Sequence, residues 1–509
     1  MRSQDRLRSF MSVSAALMLA AATVQPGLAE MVSMAVHLDT EVSGGNFSIE
    51  EVATFLEKEG IDGAIFTDRD NAQITYGLYP LRRVIKKTMS FPSIESYGPK
   101  RYLEDIHRAS GEHPGLILIA GAEAVPFYYW EGNYLTGDLK LMNWQEHMLV
   151  IGMENTQHFM CLPSIHRGFG GEGTFRVYSL ILPAGLVVAG VYLIRKRIES
   201  SFRFDRLTYT TVRRWPRIPG ALLLGLAILT LIEASPFDRR EIDQYHGSQG
   251  AAPYQKLINY ANSIGALTFW AHPEAGAKGS FEGIAYETYP YHSHLLESAG
   301  YDGFAIFWSG DKEIGSPGGI WDQVLRQYAK GEREKPVWAI GELDWDGVGG
   351  ADMLSETLTL CFPAERSVEA VLAAMRSGRM VAVRNGVGTR LNSIEFHVSS
   401  GGLESLYIGD EIAVTDPPTI TFSIDCVGED DLLSEIQLIR NGKVIADSAL
   451  PSDGKWSYQD LEMPAPDEIW YYRIMVGKGF PVLATNPIFV RGALTQVEGH
   501  VTAKMGETG

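Results

Sequence analysis

MVSMAVHLDTEVSGGNFSIEEVATFLEKEGIDGAIFTDRDN, residues 31–71, is the stretch that decides the fold. An apolar run at 32–36 leads into His37-Leu38-Asp39 and a loop containing Gly44-Gly45. A helix follows: Ser48 and Glu51 form a capping box, Val52, Phe55 and Leu56 a stripe, and Gly60 the stop. A second apolar run, 64–66, exits into Thr67-Asp68-Arg69-Asp70. Positions i and i+2 of a strand share a face, so His37 and Asp39 aim at one spot. The stretch is one βαβ unit with candidate ligands at its mouth.

Five more apolar runs of strand length follow, at 116–120, 148–151, 266–270, 303–308 and 337–340. Their flanks carry Glu123, His147, Ala271-His272-Pro273, Asp311 and Glu342-Leu343-Asp344-Trp345-Asp346. Helical patterns at 254–264 and 321–329, closed by Gly265 and Gly331, lie between several of them. Strands alternating with helices imply a parallel sheet or barrel, whose chemistry sits at the carboxyl ends of the strands. His147 precedes its run, so either that strand runs the other way or His147 acts from outside the first ring of ligands.

The order of these features resembles the polymerase and histidinol phosphatase (PHP) superfamily of metal-dependent hydrolases. That family opens on His-x-His and Thr-Asp-His-Asp, continues with a glutamate after a Gly-rich strand end, a histidine before a strand and Ala-His-Pro, and closes on Asp-x-His. His37, Glu123, His147, His272 and Asp344 match; Asp39 and Asp346 stand where histidines are expected, and Arg69 replaces a third. The resemblance implies a seven-stranded, distorted TIM-type (β/α) barrel and a site for manganese, zinc or iron. Its implied ligands are His37, Asp39, Glu123, His147, His272, Asp344 and Asp346, with Asp68 and Arg69 as catalytic candidates.

Aspartate is a legitimate ligand for such ions, and a bound ion lowers the pKa of its water to about 7. Arginine cannot ligate a cation. Two outcomes stay open: a site with fewer ions in which Arg69 grips the phosphate or carboxylate of a small anionic substrate, or a degenerate site in which Arg69 pairs with Asp39, Asp70 or Asp346. The first is a hydrolase of phosphoesters or related esters, the second a binding or scaffold protein of the cell envelope. Isolated histidines such as His107, His113 and His397 read as ordinary surface or core residues, and His292-Ser293-His294 lies in a Tyr/Pro-rich loop. Aromatics after Glu123 (Phe127, Tyr128, Tyr129, Trp130) and after Ala-His-Pro (Tyr286, Tyr289, Tyr291) suit either a ring-binding platform or an interfacial belt.

With 509 residues, 45% of them hydrophobic, the chain can bury large cores in two or three domains. A formal charge of −18 argues against nucleic acid or an anionic lipid face as partner of the main body. Cys161, Cys361 and Cys426 are odd in number and far apart, which implies neither a disulfide framework nor a zinc knuckle. No repeat, phosphate-cradling glycine loop or Ser-His-Asp grouping is readable, and nothing indicates an oligomer.

Arg2, Arg6 and Arg8 before the apolar stretch 13–24, with Gly27-Leu28-Ala29 ahead of Glu30, form a secretory leader pattern, cleaved or kept as an anchor. The apolar segments 177–194 and 218–232 flank a link rich in arginine, from Arg195 to Arg217. Hydropathy and the positive-inside rule predict a transmembrane hairpin with a cytoplasmic loop, tethering the main domains on the exported side of the cell envelope.

After the capped helix 367–378 the pattern becomes short strands at 393–398, 419–424, 435–439, 443–446 and 470–476, with an Asn441-Gly442 hairpin turn. These predict an all-β sandwich, whose closing run, Thr485 to Val490, resembles that of sandwiches appended to exported PHP-type hydrolases. The expected division is leader 1–30, first barrel part 31–176, hairpin 177–234, second barrel part 235–385, sandwich 386–492 and tail 493–509.

Overall fold

The computed structural model describes residues 30–79, 81–169, 180–234, 242–384, 390–405, 407–427 and 431–493. The leader before Glu30, the start of the expected hairpin at 177–179 and the tail from Leu494 lie outside the described residues.

One sheet organises the chain. Its strands run in the spatial order Trp338–Gly341, Gly303–Phe307, Leu267–Trp270, Met148–Ile151, Ile117–Ala124, Gly63–Phe66, Val32–Leu38, Thr357–Cys361 and Met380–Arg384. The segments GAIF, LTFW, GFAIF and WAIG are buried throughout, as continuous apolar runs are when both faces of a sheet are covered. Neighbouring backbones approach closely where glycine permits. A Cβ on Gly63 would lie 2.1 Å from the Ile117 carbonyl oxygen, and one on Gly303 would lie 2.3 Å from that of Trp338.

After Gly341 the chain runs on beside the first strand and parallel to it: Leu343 N–H donates to Val36 O (2.8 Å), Trp345 N–H to His37 O (3.1 Å) and Asp39 N–H to Trp345 O (2.9 Å). These bonds curl seven strands round on themselves. Met148–Ile151 is antiparallel to both neighbours, so its starting residue, His147, lies at the end where the parallel strands finish. That settles the choice the sequence left open. Helices such as Ile49–Glu59, with its Ser48/Glu51 capping box and Gly60 at φ 70°, pack outside with their apolar faces inward.

The expected transmembrane hairpin is corrected: among the described residues no helix is long and apolar enough to cross a membrane. Ile181–Arg195 and Ile218–Ala234 have 15 and 17 residues, or about 22 and 26 Å at 1.5 Å per residue, against a hydrocarbon core of ~30 Å. The first helix stops because Lys196 is extended and enters a strand. The basic link is an antiparallel β-hairpin, Arg197–Phe204 with Leu207–Arg214. The two helices meet at Gly190 and Gly220, where a Cβ on Gly220 would lie 2.7 Å from Gly190 O.

Met380–Arg384 pairs with Leu483–Thr485, and the same sheet continues through Ile469–Val476, Glu435–Arg440 and Lys443–Ala449. Asn441 (φ 50°) and Gly442 (φ 84°) make the hairpin turn. A second sheet, Leu403–Glu404, Arg390–Ser400, Thr419–Val427 and Lys455–Gln459, accompanies it. The C-terminal β region therefore shares a sheet, and one buried apolar cluster, with the strands that precede it. Asn486 fastens the junction through Ala339 N–H (2.7 Å) and the carbonyls of Ala339 and Met380 (both 3.0 Å).

Candidate metal centre

Four strand ends converge on one point. His37 is the penultimate residue of the first strand, Glu123 lies near the end of Ile117–Ala124, His272 follows Leu267–Trp270, and Asp344 follows Trp338–Gly341. One ligand atom from each of these four lies within 4.8 Å of all the others. His37, His272 and Asp344 have φ values of 70°, 27° and 50°. That left-handed backbone is unfavourable for residues with a Cβ and clusters at functional sites.

Glu123 is the hub. Its Oε1 is 3.2 Å from His37 Nε2, 3.7 Å from His272 Nε2 and in contact with His147 Nδ1; its Oε2 accepts from Arg69 Nε at 3.2 Å. Burial alone would raise its pKa, but His147 and His37 hold it well below the usual carboxylate range. His37 feels the reciprocal effect: burial works against its charge, and Glu342, Glu123 and Asp344 overcome it, pushing its pKa well up. His272 is raised for a like reason, with Glu123 as the main opponent of burial. Burial prevails at His147, whose pKa is lowered.

The donor set fits a divalent cation. His37 Nε2 is buried, points among Glu123, His272 and Asp344, and makes no hydrogen bond among the described residues. Two imidazoles and two carboxylates are suitable ligands for zinc, manganese or iron.

The remaining expected ligands lie round this group. His147 Nδ1 is 3.2 Å from His272 Nε2. Asp39 is half-buried; burial first, then Glu123, raises its pKa well above normal, and its Oδ1 accepts from Ser43 Oγ at 3.1 Å. Asp346 is exposed and accepts from Val348 N–H at 3.0 Å. Asp68 clamps the loop after the first strand, accepting from Thr40 N–H (2.7 Å), Ser43 N–H (3.1 Å) and Ser43 Oγ (2.6 Å); burial brings its pKa to about 6. Arg69 takes Glu123 rather than Asp39, Asp70 or Asp346, because a β-bridge sets residues 69 and 123 side by side. Asp70 belongs to Arg167, at 2.7 Å.

Two residues of the site escaped sequence reasoning. Glu342, fully buried, accepts from His37 Nδ1 at 2.7 Å and from the His272 backbone N–H at 2.9 Å. Its signal was its i, i+2 spacing from Asp344. Tyr291, read as part of an aromatic mouth, is buried with its hydroxyl against Ala271 O and 3.1 Å from His272 Nδ1. Phe127, Tyr128, Tyr129 and Trp130 are also buried, which removes them from a mouth platform. His294 sits 2.9 Å from Glu146 instead of in the cluster.

No family model matches the sequence, and no curated protein matches it. Solved structures that resemble it include a two-domain protein from Bacteroides vulgatus containing a predicted PHP-like metal-dependent phosphoesterase. That match has 11% identity and a TM-score of 0.35, over 91% of this chain and 96% of that one. A protein of Bifidobacterium adolescentis assigned as a metal-dependent phosphoesterase has 14% identity and a TM-score of 0.26, over 62% of this chain and 88% of that one. An amidohydrolase from Chromobacterium violaceum, solved with sulfate and no metal, has 11% identity and a TM-score of 0.26, over 62% and 88%. Likenesses this slight carry no argument for chemistry, which has to come from the chain's own geometry.

Proposed function

We propose that the protein is a metal-dependent hydrolase of small anionic esters, phosphoesters foremost. The observation that carries this reading is the converging group His37, Glu123, His272 and Asp344, with the orphaned His37 Nε2 aimed into it. These four residues would hold the cation, with His147 beside them. When bound, the cation supplies Lewis-acid charge and a water whose pKa is about 7.

The chain's own groups do the rest. Arg69 is about one-third exposed, and among the described residues its hydrogen bond to Glu123 uses Nε alone. Its two Nη nitrogens are left to grip a phosphate or carboxylate in the bidentate manner guanidinium favours. Glu123 fixes the plane of that guanidinium, so the substrate anion is oriented before reaction. Asp68 keeps the loop from Thr40 to Ser43 folded beside the site.

The test is metal content and turnover together. Purified protein supplemented with manganese, iron or zinc should hold stoichiometric metal and hydrolyse members of a phosphomonoester and phosphodiester panel. A protein that takes up none of the three ions would sink the hydrolase reading and leave a binding protein on a degenerate barrel, in which Arg69 neutralises Glu123. The leader pattern at 1–30 supports placing the protein on the exported side of the envelope; fractionation of cells expressing the chain with and without those residues tests that placement.

A further inference from the structure

We propose that Glu342 is the positioning residue of the centre, fixing His37 and His272 together through the two oxygens of one carboxylate. The proposal rests on the reading of the site as a metal centre.

Glu342 Oε1 lies 2.7 Å from His37 Nδ1, and with the carboxylate oxygen as acceptor Nδ1 is the donor and carries a proton. The lone pair of a neutral His37 is then on Nε2, the atom aimed at Glu123 and Asp344. Glu342 Oε2 accepts the backbone N–H of His272, a residue at φ 27°. That bond satisfies a buried donor and restrains a strained backbone at the same place.

Tyr291 repeats the logic on the other ring. Its hydroxyl proton goes to Ala271 O, so its oxygen accepts from His272 Nδ1 at 3.1 Å. Both histidines thus carry a proton on Nδ1 and present Nε2 to Glu123. Glu342 governs His37 and the backbone of His272, whereas Tyr291 governs the His272 ring, also accepts the His147 backbone N–H at 3.4 Å, and makes no hydrogen bond to His37 among the described residues. A carboxylate buried merely to fill space would leave imidazole tautomers and ion affinity indifferent to its replacement.

The experiment compares wild type, Glu342→Gln, Glu342→Asp and Tyr291→Phe. Zinc affinity is measured by competition with a chelator, and imidazole tautomers by nitrogen-detected NMR of metal-free protein titrated upward in pH until both imidazoles are neutral. The amide introduced by Glu342→Gln opposes a donor to either His37 Nδ1–H or His272 N–H, so zinc binding should weaken about 10- to 100-fold. The His37 resonances should move from the Nδ1–H form, with Glu342→Asp recovering part of both. Tyr291→Phe should weaken zinc about tenfold and disturb His272 while leaving the His37 tautomer in place. Wild type binding zinc, with Glu342→Gln binding it equally well in an unchanged tautomer, overturns the proposal alone. Should Glu342→Gln fail to fold, a His37 tautomer displaced by Tyr291→Phe overturns the division of labour. Wild type binding no zinc defeats the underlying metal-site reading instead.

Discussion

Glu123 and Asp322 are both fully buried carboxylates facing arginine, yet their surroundings are opposites. Asp322 Oδ1 accepts from Arg473 Nε (2.9 Å) and Tyr471 OH (3.0 Å), and Oδ2 accepts from Arg473 Nη2 (2.7 Å) and Gly318 N–H (2.7 Å). One anion meets one cation, Arg473 Nη2 also bonds Gly315 O, and the guanidinium lies 4.6 Å over the Trp321 ring. Among the described residues, Arg473 Nη1 is the one atom of this pair left without a hydrogen bond. Asp322 belongs to the helix Ile320–Ala329 and Arg473 to the strand Ile469–Val476. Around Glu123, one carboxylate faces three imidazoles and Arg69, the His37 nitrogen is orphaned, and three contributing residues have left-handed backbone. Burial is common to both; a closed balance on relaxed backbone marks a joint, and an open one on strained backbone marks a site.

The comparison breaks most sharply at the joint. Arg473→Ala leaves Asp322 buried and uncompensated, and should cost about 3–5 kcal/mol in denaturant unfolding, while Arg473→Met with Asp322→Leu should recover most of it. A cost under about 1 kcal/mol would put the pair on a level with a surface bridge and dissolve the contrast. Next, His272→Ala should abolish stoichiometric metal, a loss of at least ~100-fold in affinity, while costing the metal-free fold less than Arg473→Ala; calorimetry reads both. Arg69→Ala should leave metal stoichiometry unchanged and raise KM for an anionic ester about 10- to 100-fold, the worth of a charged hydrogen bond. Equal loss of metal in that variant would make Arg69 part of the cation's support instead.

The smallest effect is at the surface. His113 is held between Glu57 and Glu50; the Glu57 hydrogen bond is the main cause of its raised pKa, burial opposes it, and the Glu50 hydrogen bond adds to the rise. A raised histidine pKa contributes stability fully below the unfolded value of about 6.5 and loses it as pH rises through the folded value. Wild type should therefore exceed His113→Gln in stability by at most ~1 kcal/mol at about pH 5.5, and the gap should close as pH rises through the raised pKa of His113. A gap that widens with pH would reverse the sign and refute the assignment.

Much of the centre was legible because it is local: apolar runs mark strands, and polar residues just beyond them mark the mouth. His37, Glu123, His272 and Asp344 stand at such strand ends, and it was the family resemblance that named them as ligands. Glu342 stood in the same motif as Asp344, but its partners are 305 and 70 residues away, and no spacing rule reaches that far. Arg473 and Asp322, 151 residues apart, were invisible for the same reason. Arg69 was recognised as a cation among carboxylates, but the choice of Glu123 needed the 69–123 bridge. The apolar segments at 177–194 and 218–232 misled because hydropathy reports composition, and the described helices over them, of 15 and 17 residues, are apolar but too short to span.

The first strand carries a burden of timing. Val32 pairs with Cys361, and the closing bonds to His37 and Asp39 come from Trp345. A ribosome adding ~5–20 residues per second reaches Cys361 roughly 15–65 s after Val32. During that interval Val32–Leu38 has one partner strand and one bare edge, the condition that invites wrong pairing. The nascent chain therefore depends on whatever shields that edge until Cys361 has been added.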